Sequence, residues 1–189
     1  MSSDGTTLAV GAIYNDGNGG DAGHVRVYSW NGSAWTKLGG DIDGEAADDR
    51  SGYSVSLSSD GTTLAVGAYG NDGTASDAGH VRVYSSSGSA WTKLGDDIDG
   101  EAADDYSGRS VSLSSDGTTL AIGASYNSGT ASRAGHVRVY NLVNSYAPVA
   151  VDDTLTVVED ASLTSKDVIA NDTDAVSYTH LTLPTKRIV

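Results

Sequence analysis

The side chains best equipped for chemistry in this 189-residue sequence are carboxylates and histidines that recur at a fixed spacing. Two acidic segments stand out, Asp41-Ile42-Asp43-Gly44-Glu45-Ala46-Ala47-Asp48-Asp49 and Asp96-Asp97-Ile98-Asp99-Gly100-Glu101-Ala102-Ala103-Asp104-Asp105. Asp41, Asp43 and Glu45 alternate across a glycine turn, and so do Asp97, Asp99 and Glu101. Calcium is the cation that such oxygen donors could take up weakly, although a full calcium site needs six to eight oxygens. The plainer reading is a solvated, soluble edge. The loops Asn15-Asp16-Gly17-Asn18-Gly19-Gly20-Asp21 and Asn71-Asp72-Gly73-Thr74-Ala75-Ser76-Asp77 also carry oxygen donors, but they diverge from the EF-hand pattern and read as turns. In the third copy of this loop Arg133 replaces Asp21 and Asp77, which weakens a cation site further.

His24, His80 and His136 recur at equal intervals. A catalytic histidine needs surroundings of its own, so one repeated in every copy reads as framework. The remaining histidine, His180, lies in the C-terminal stretch set aside below. Nothing singles out two of the 25 acids as a glycosidase pair. No glycine-rich stretch joins a strand to a helix, so no phosphate-binding loop is expected. With no cysteine there is no thiolate nucleophile, thiolate metal site or disulfide framework. The chain therefore reads as non-enzymatic.

The elements that must position these residues come from a repeat. Residues 3–58 align without a gap to residues 59–114, with 46 of 56 positions identical, and a partial third copy covers 115–140. A period of 56 residues suits a four-strand unit. In the second copy Val55 and Leu57 share a face, Asp60-Gly61 makes a tight turn, and Leu64, Val66 and Ala68 share a face of the next strand. Val81 and Val83 point inward from a third run, and residues 90–94 make a fourth. No stretch of ten or more residues has helical periodicity. The expected fold is all-β, an incomplete β-propeller of four-stranded antiparallel blades over 1–140 with a truncated β-sandwich segment at the C-terminus. A lone four-stranded meander cannot bury two apolar faces, whereas blades laid against one another can.

With the strands placed, the sequence resembles the FG-GAP family of β-propeller repeats. The resemblance rests on Ser51-Gly52-Tyr53-Ser54-Val55-Ser56-Leu57, then Leu64-Ala65-Val66-Gly67-Ala68, then Gly79-His80-Val81-Arg82-Val83-Tyr84. It implies a surface or secreted protein; many members carry a calcium loop before the second strand. Here that place holds only Ser58-Ser59-Asp60-Gly61-Thr62, a poor calcium site. The third copy lacks the fourth run, so 107–140 is expected to be the final blade, closed by upstream chain. Residues 141–145 read as a linker. Residues 146–175 resemble the opening of a bacterial cadherin-like tandem domain, carried by Ala147-Pro148-Val149-Ala150-Val151-Asp152-Asp153, Leu155-Thr156-Val157-Val158-Glu159-Asp160 and Asn171-Asp172-Thr173-Asp174. Residues 176–189 fit neither module and resemble translated sequencing adapter. The start at Met1, inside a repeat, is expected to be a start codon placed within a longer reading frame.

A formal net charge of -14 repels nucleic-acid phosphates and anionic lipid, which argues against both as partners. No apolar run of about 18 residues suggests membrane insertion. The expected function is a secreted or cell-surface interaction or adhesion scaffold, whose partners are a protein or glycan ligand and neighbouring repeats. The alternative is a glycan-binding or glycan-processing propeller. Trp30, where the next copy has Ser86, could stack on a sugar or cover a blade edge. The exchange of Arg50 for Tyr106 and of Tyr53 for Arg109 keeps one cation and one aromatic at each blade start, suggesting compensated packing.

Overall fold

In the computed structural model, which describes residues 1–142, the alternating apolar pattern becomes strands throughout, with no helix among the described residues. The first sheet contains β1 (Thr7–Ala12), β2 (His24–Trp30), β3 (Trp35–Lys37) and β4 (Ile42–Asp43), with β3 and β4 both paired to β2. The second runs β5 (Ser54–Leu57), β6 (Thr63–Ala68), β7 (His80–Ser86), β8 (Trp91–Asp99) in order. The third contains β9 (Ser107–Leu113), β10 (Thr119–Ala124) and β11 (His136–Asn141). All pairings within the sheets are antiparallel. The architecture is thus all-β, three sheets consistent with repeat blades. The linker expected at 141–145 is described only through Asn141, the last residue of β11, and Leu142; the cadherin-like and adapter-like segments lie outside the described residues.

The second and third sheets each start with the strand that ends a sequence copy, β5 and β9, so these sheets straddle the aligned units. The fourth strand runs further than expected. The sequence places the fourth run at residues 90–94, but β8 continues to Asp99 through a register shift against β7 between Val81 and Val83. Gly95, at φ 65°, lies in the extra turn of chain that this bulge needs. In the first sheet the same stretch carries Gly39-Gly40, and the run divides into β3 and β4.

Opposed residues in an antiparallel pair share a face. Leu64 opposes Leu57 and Val66 opposes Val55, and these side chains meet Val25, Val27 and Ile42 of the first sheet. On the other face of the second sheet Ala65, Val81 and Val83 meet Leu120 and Ile122 of the third. Residues of β6 are therefore buried at all six positions, while β1 has none fully buried. Covering a Leu or Val side chain in this way contributes about 1.5–3 kcal/mol. The faces at the two ends of the stack have no described neighbour: Val10, equivalent to the buried Val66, is 44% exposed, and Val137 and Val139 are 67% and 68% exposed.

Close approach between sheets depends on glycine. A Cβ on Gly67 would fall on the carbonyl oxygen of Gly108, and one on Gly11 on that of Gly52. Gly52 and Gly108 themselves adopt φ 86° and 81°, which only glycine enters readily. Backbone bonds also link the sheets in series: Ser3 N–H donates to Ser59 O and Ser59 N–H to Ser115 O, both at 2.8 Å. The Asp60-Gly61 turn is closed by its own carboxylate, which accepts from Ser58 Oγ at 2.6 Å and Thr62 N at 3.0 Å.

Candidate functional site

The acidic crossovers are not a uniformly solvated edge. Because β8 extends to Asp99, Asp97 is placed beside β7, where Arg82 Nε and Nη2 grip its two oxygens at 2.9 and 2.8 Å and Lys93 Nζ adds a third contact at 2.7 Å. Arg26 and Lys37 hold Asp41 in the same way, at 2.9, 2.9 and 2.5 Å. Arg26 and then Lys37 keep the Asp41 carboxyl well below the usual carboxylate range. Arg82 does the same for Asp97, against the opposing effect of burial. Burial alone would pull the Arg82 guanidinium down, but Asp97 and Glu45 together push it up.

The structure separates the six acids expected to act as two sets. Asp41 and Asp43 gather with His24. Glu45 instead reaches forward to the second sheet, pairing with Arg82 and grouping with His80 and Asp97. Glu101 repeats the reach, pairing with Arg138 of the third sheet and lying 3.8 Å from His136. Asp99 sits opposite His80 in register and joins neither cluster. Each cluster has three ligand atoms within 4.8 Å of one another and could chelate a divalent cation such as calcium. Their donor sets combine an imidazole nitrogen with carboxylate oxygens, which suits zinc-like ions better than calcium. A cation entering either cluster would also displace Arg or Lys from Asp41 or Asp97.

The histidines are framework residues with polar neighbours. His24 and His80 are 5% and 3% exposed, and His80 Nδ1 is 3.8 Å from Asp97. Burial, then the charge of Arg82, hold the His80 imidazole below its ordinary value, so it is neutral at neutral pH. Asp49 and Asp105, last acids of the crossovers, are 2% and 3% exposed. Asp49 accepts from the backbone N–H groups of Glu45 and Ala46 and from Asn71 Nδ2; Asp105 accepts from Ala102 N and Asn127 Nδ2. These Asp–Asn contacts tie each crossover to the loop of the following sheet. The paired recurrence of Asp49 with Asp105 and of Asn71 with Asn127 was the available signal, obscured by the surrounding acids.

In the polar loops the oxygen donors are used internally. Asn15 Oδ1 and Asn71 Oδ1 accept from Gly17 N and Gly73 N, while Asp16 and Asp72 accept from Asp21 N and Asp77 N. Trp30 packs at a tilt against Trp35, its partner across the hairpin, with centroids 5.5 Å apart and both residues about 40% exposed. The exchanged residues meet a third one: Arg50 lies 5.5 Å from the Tyr69 ring centroid, Arg109 lies 5.9 Å from it, and Tyr53 packs edge-on at 4.6 Å.

No helix among the described residues is long and apolar enough to cross a membrane. No curated protein matches the chain. Residues 42–84, spanning the first crossover and the first three strands of the second sheet, match the FG-GAP repeat family.

Proposed function

We propose that the chain is a non-enzymatic interaction scaffold of a secreted or cell-surface protein, in which stacked blades of an incomplete propeller present loops at one end. One observation carries this reading. Of the ten positions at which the first two copies differ, seven fall within residues 13–20 and 50–53, loops at the same end of the sheets. The faces that pack sheet on sheet are kept, and the loops that meet other molecules vary. The match at residues 42–84 supports a repetitive, non-catalytic role. The strongly acidic surface supports a protein or glycan partner over nucleic acid.

Binding of the purified chain to immobilised surface proteins and glycans tests this. Saturable binding that is lost when residues 13–20 and 69–76 are replaced by Gly-Ser sequence supports it. Turnover of a bound ligand would overturn the non-enzymatic assignment. A second reading, glycan recognition, is favoured by a polar cavity at the loop end of the second sheet. For calcium we propose only a counter-ion role at Asp41, Asp43, Glu45, Asp97, Asp99 and Glu101. Millimolar calcium is expected to change the thermal midpoint no more than sodium of equal ionic strength; a larger rise would indicate a specific site.

A further inference from the structure

The cavity that favours glycan recognition has about 500 Å³ of space at the loop end of the second sheet, walled by Asp48 and Arg50 of the first crossover on one side and by Tyr106, Arg109 and Tyr126 on the other. That volume lies within the usual range for small-molecule sites, about 300–1,000 Å³. Its position coincides with a departure from the repeat. Where the first copy has Ile13-Tyr14 and the third Ser125-Tyr126, the second has Tyr69-Gly70. Tyr69 lies on the cavity wall, with Tyr106 packed against it at 5.8 Å and Tyr126 against Tyr106 at 5.2 Å. Gly70 lets the preceding crossover close over it, since a Cβ there would fall on Asp48 O.

The lining is mixed in charge. Asp48, Asp72 and Asp77 face Arg50 and Arg109, three carboxylates against two guanidinium groups, a balance of one negative charge. That balance disfavours an anion. A cation would compete with guanidinium groups already set over the tyrosines, Arg50 over Tyr69 and Arg109 over Tyr126 at 5.4 Å. Remaining is a neutral ligand that both donates and accepts many hydrogen bonds: guanidinium N–H groups donate, carboxylates accept and phenol hydroxyls do both. The site is held in place beforehand. Arg50 Nη1 donates to Tyr69 Oη at 2.6 Å, Asp72 Oδ1 accepts from Asp77 N at 2.7 Å, and Tyr106 N donates to Asp77 O at 3.1 Å. We infer that this cavity binds a neutral saccharide unit, an inference that rests on the glycan-recognition reading above.

The test is titration calorimetry of the whole chain with the methyl glycosides of glucose, galactose, mannose and N-acetylglucosamine, alongside methyl glucuronide as an anionic probe. Arg109→Ala and Asp72→Asn each remove one charged partner; the second keeps the oxygen that accepts from Asp77 N. Trp30→Ser, the residue found in the next copy, removes the other exposed aromatic pair, and thermal unfolding verifies that each variant is folded. The expected result is binding of at least one neutral glycoside, weakened about tenfold or more by Asp72→Asn and Arg109→Ala and unchanged by Trp30→Ser. Binding that survives both cavity variants but fails in Trp30→Ser overturns this site while leaving glycan recognition intact. Silence of every probe on folded protein overturns both, and preference for the glucuronide overturns the assignment to a neutral ligand.

Discussion

The two junctions between sheets have nearly the same centre and different rims. At the first, Val25, Val27 and Ile42 meet Leu64 and Val66; at the second, Ala65, Val81 and Val83 meet Leu120 and Ile122. Both rely on a glycine seated against a carbonyl of the next sheet, Gly11 on Gly52 and Gly67 on Gly108. At the loop end the likeness stops. Arg50 stands over Tyr69 at the first junction, whereas Tyr106 packs edge-on against Tyr126 with Arg109 beside it at the second. Packing of whole sheets tolerates little change because a displaced methyl group is felt throughout a close-packed face. Solvent-facing rims tolerate exchange, so recognition can diverge there without cost to the fold.

The sharpest way to break the likeness is to empty each centre. Leu64→Ala and Leu120→Ala should each lower unfolding free energy in urea by about 2–5 kcal/mol, and by the same amount within ~1 kcal/mol. Leu8, the equivalent residue on the uncovered face of the first sheet, should cost distinctly less. A large inequality between Leu64 and Leu120 would show that the junctions differ in depth. Filling the glycine contacts comes next. Gly67→Ala should cost about 1–3 kcal/mol by pressing on Gly108 O, while Gly123→Ala, which meets only Ser110, should cost less in the same urea titration.

Ion pairs give a smaller contrast. Arg82, with its side chain 13% exposed between Asp97 and Glu45, should lose ~1 kcal/mol when changed to Met. Arg26, 42% exposed, should show no measurable change. The smallest effect concerns acid. Since burial and Arg82 depress the His80 value, the fold prefers the neutral ring; its contribution is complete above the ordinary 6.5 and is lost as pH falls below that value. The thermal midpoint of the wild-type chain should therefore fall between neutral pH and about pH 5 more steeply than that of His80→Gln.

Strand positions were legible because the physics that sets them is local. Leu64, Val66 and Ala68 alternate with small residues, and β6 occupies Thr63–Ala68 as the alternation requires. The same holds for Val81 and Val83 in β7. Residues 95–99 were not legible as strand, because Gly95-Asp96-Asp97 has the composition of a turn; only Arg82, on the neighbouring strand, shows why Asp97 stays in the sheet. Spacing groups Glu45 with Asp41 and Asp43, but spacing along a crossover does not report which sheet a side chain reaches, and Glu45 pairs with Arg82 of the second sheet. Asp49 looked like its wet neighbours, and its burial depends on Asn71, a residue 22 positions away. The cavity was signalled by Tyr69-Gly70, a two-residue departure easily lost among the eight other differences between the first two copies.

Near-identity of the central faces has a price during folding. The Val25 and Val27 surface can be met by Leu120 and Ile122 almost as well as by Leu64 and Val66, so a newly made chain has several docking orders of similar energy. Skipped or exchanged blades are the expected traps in such a chain. Where the centres are alike, only the rims differ, Arg50 against Tyr106 and Tyr69 against Ser125, so those residues are the features by which one junction can be told from the other as the sheets dock.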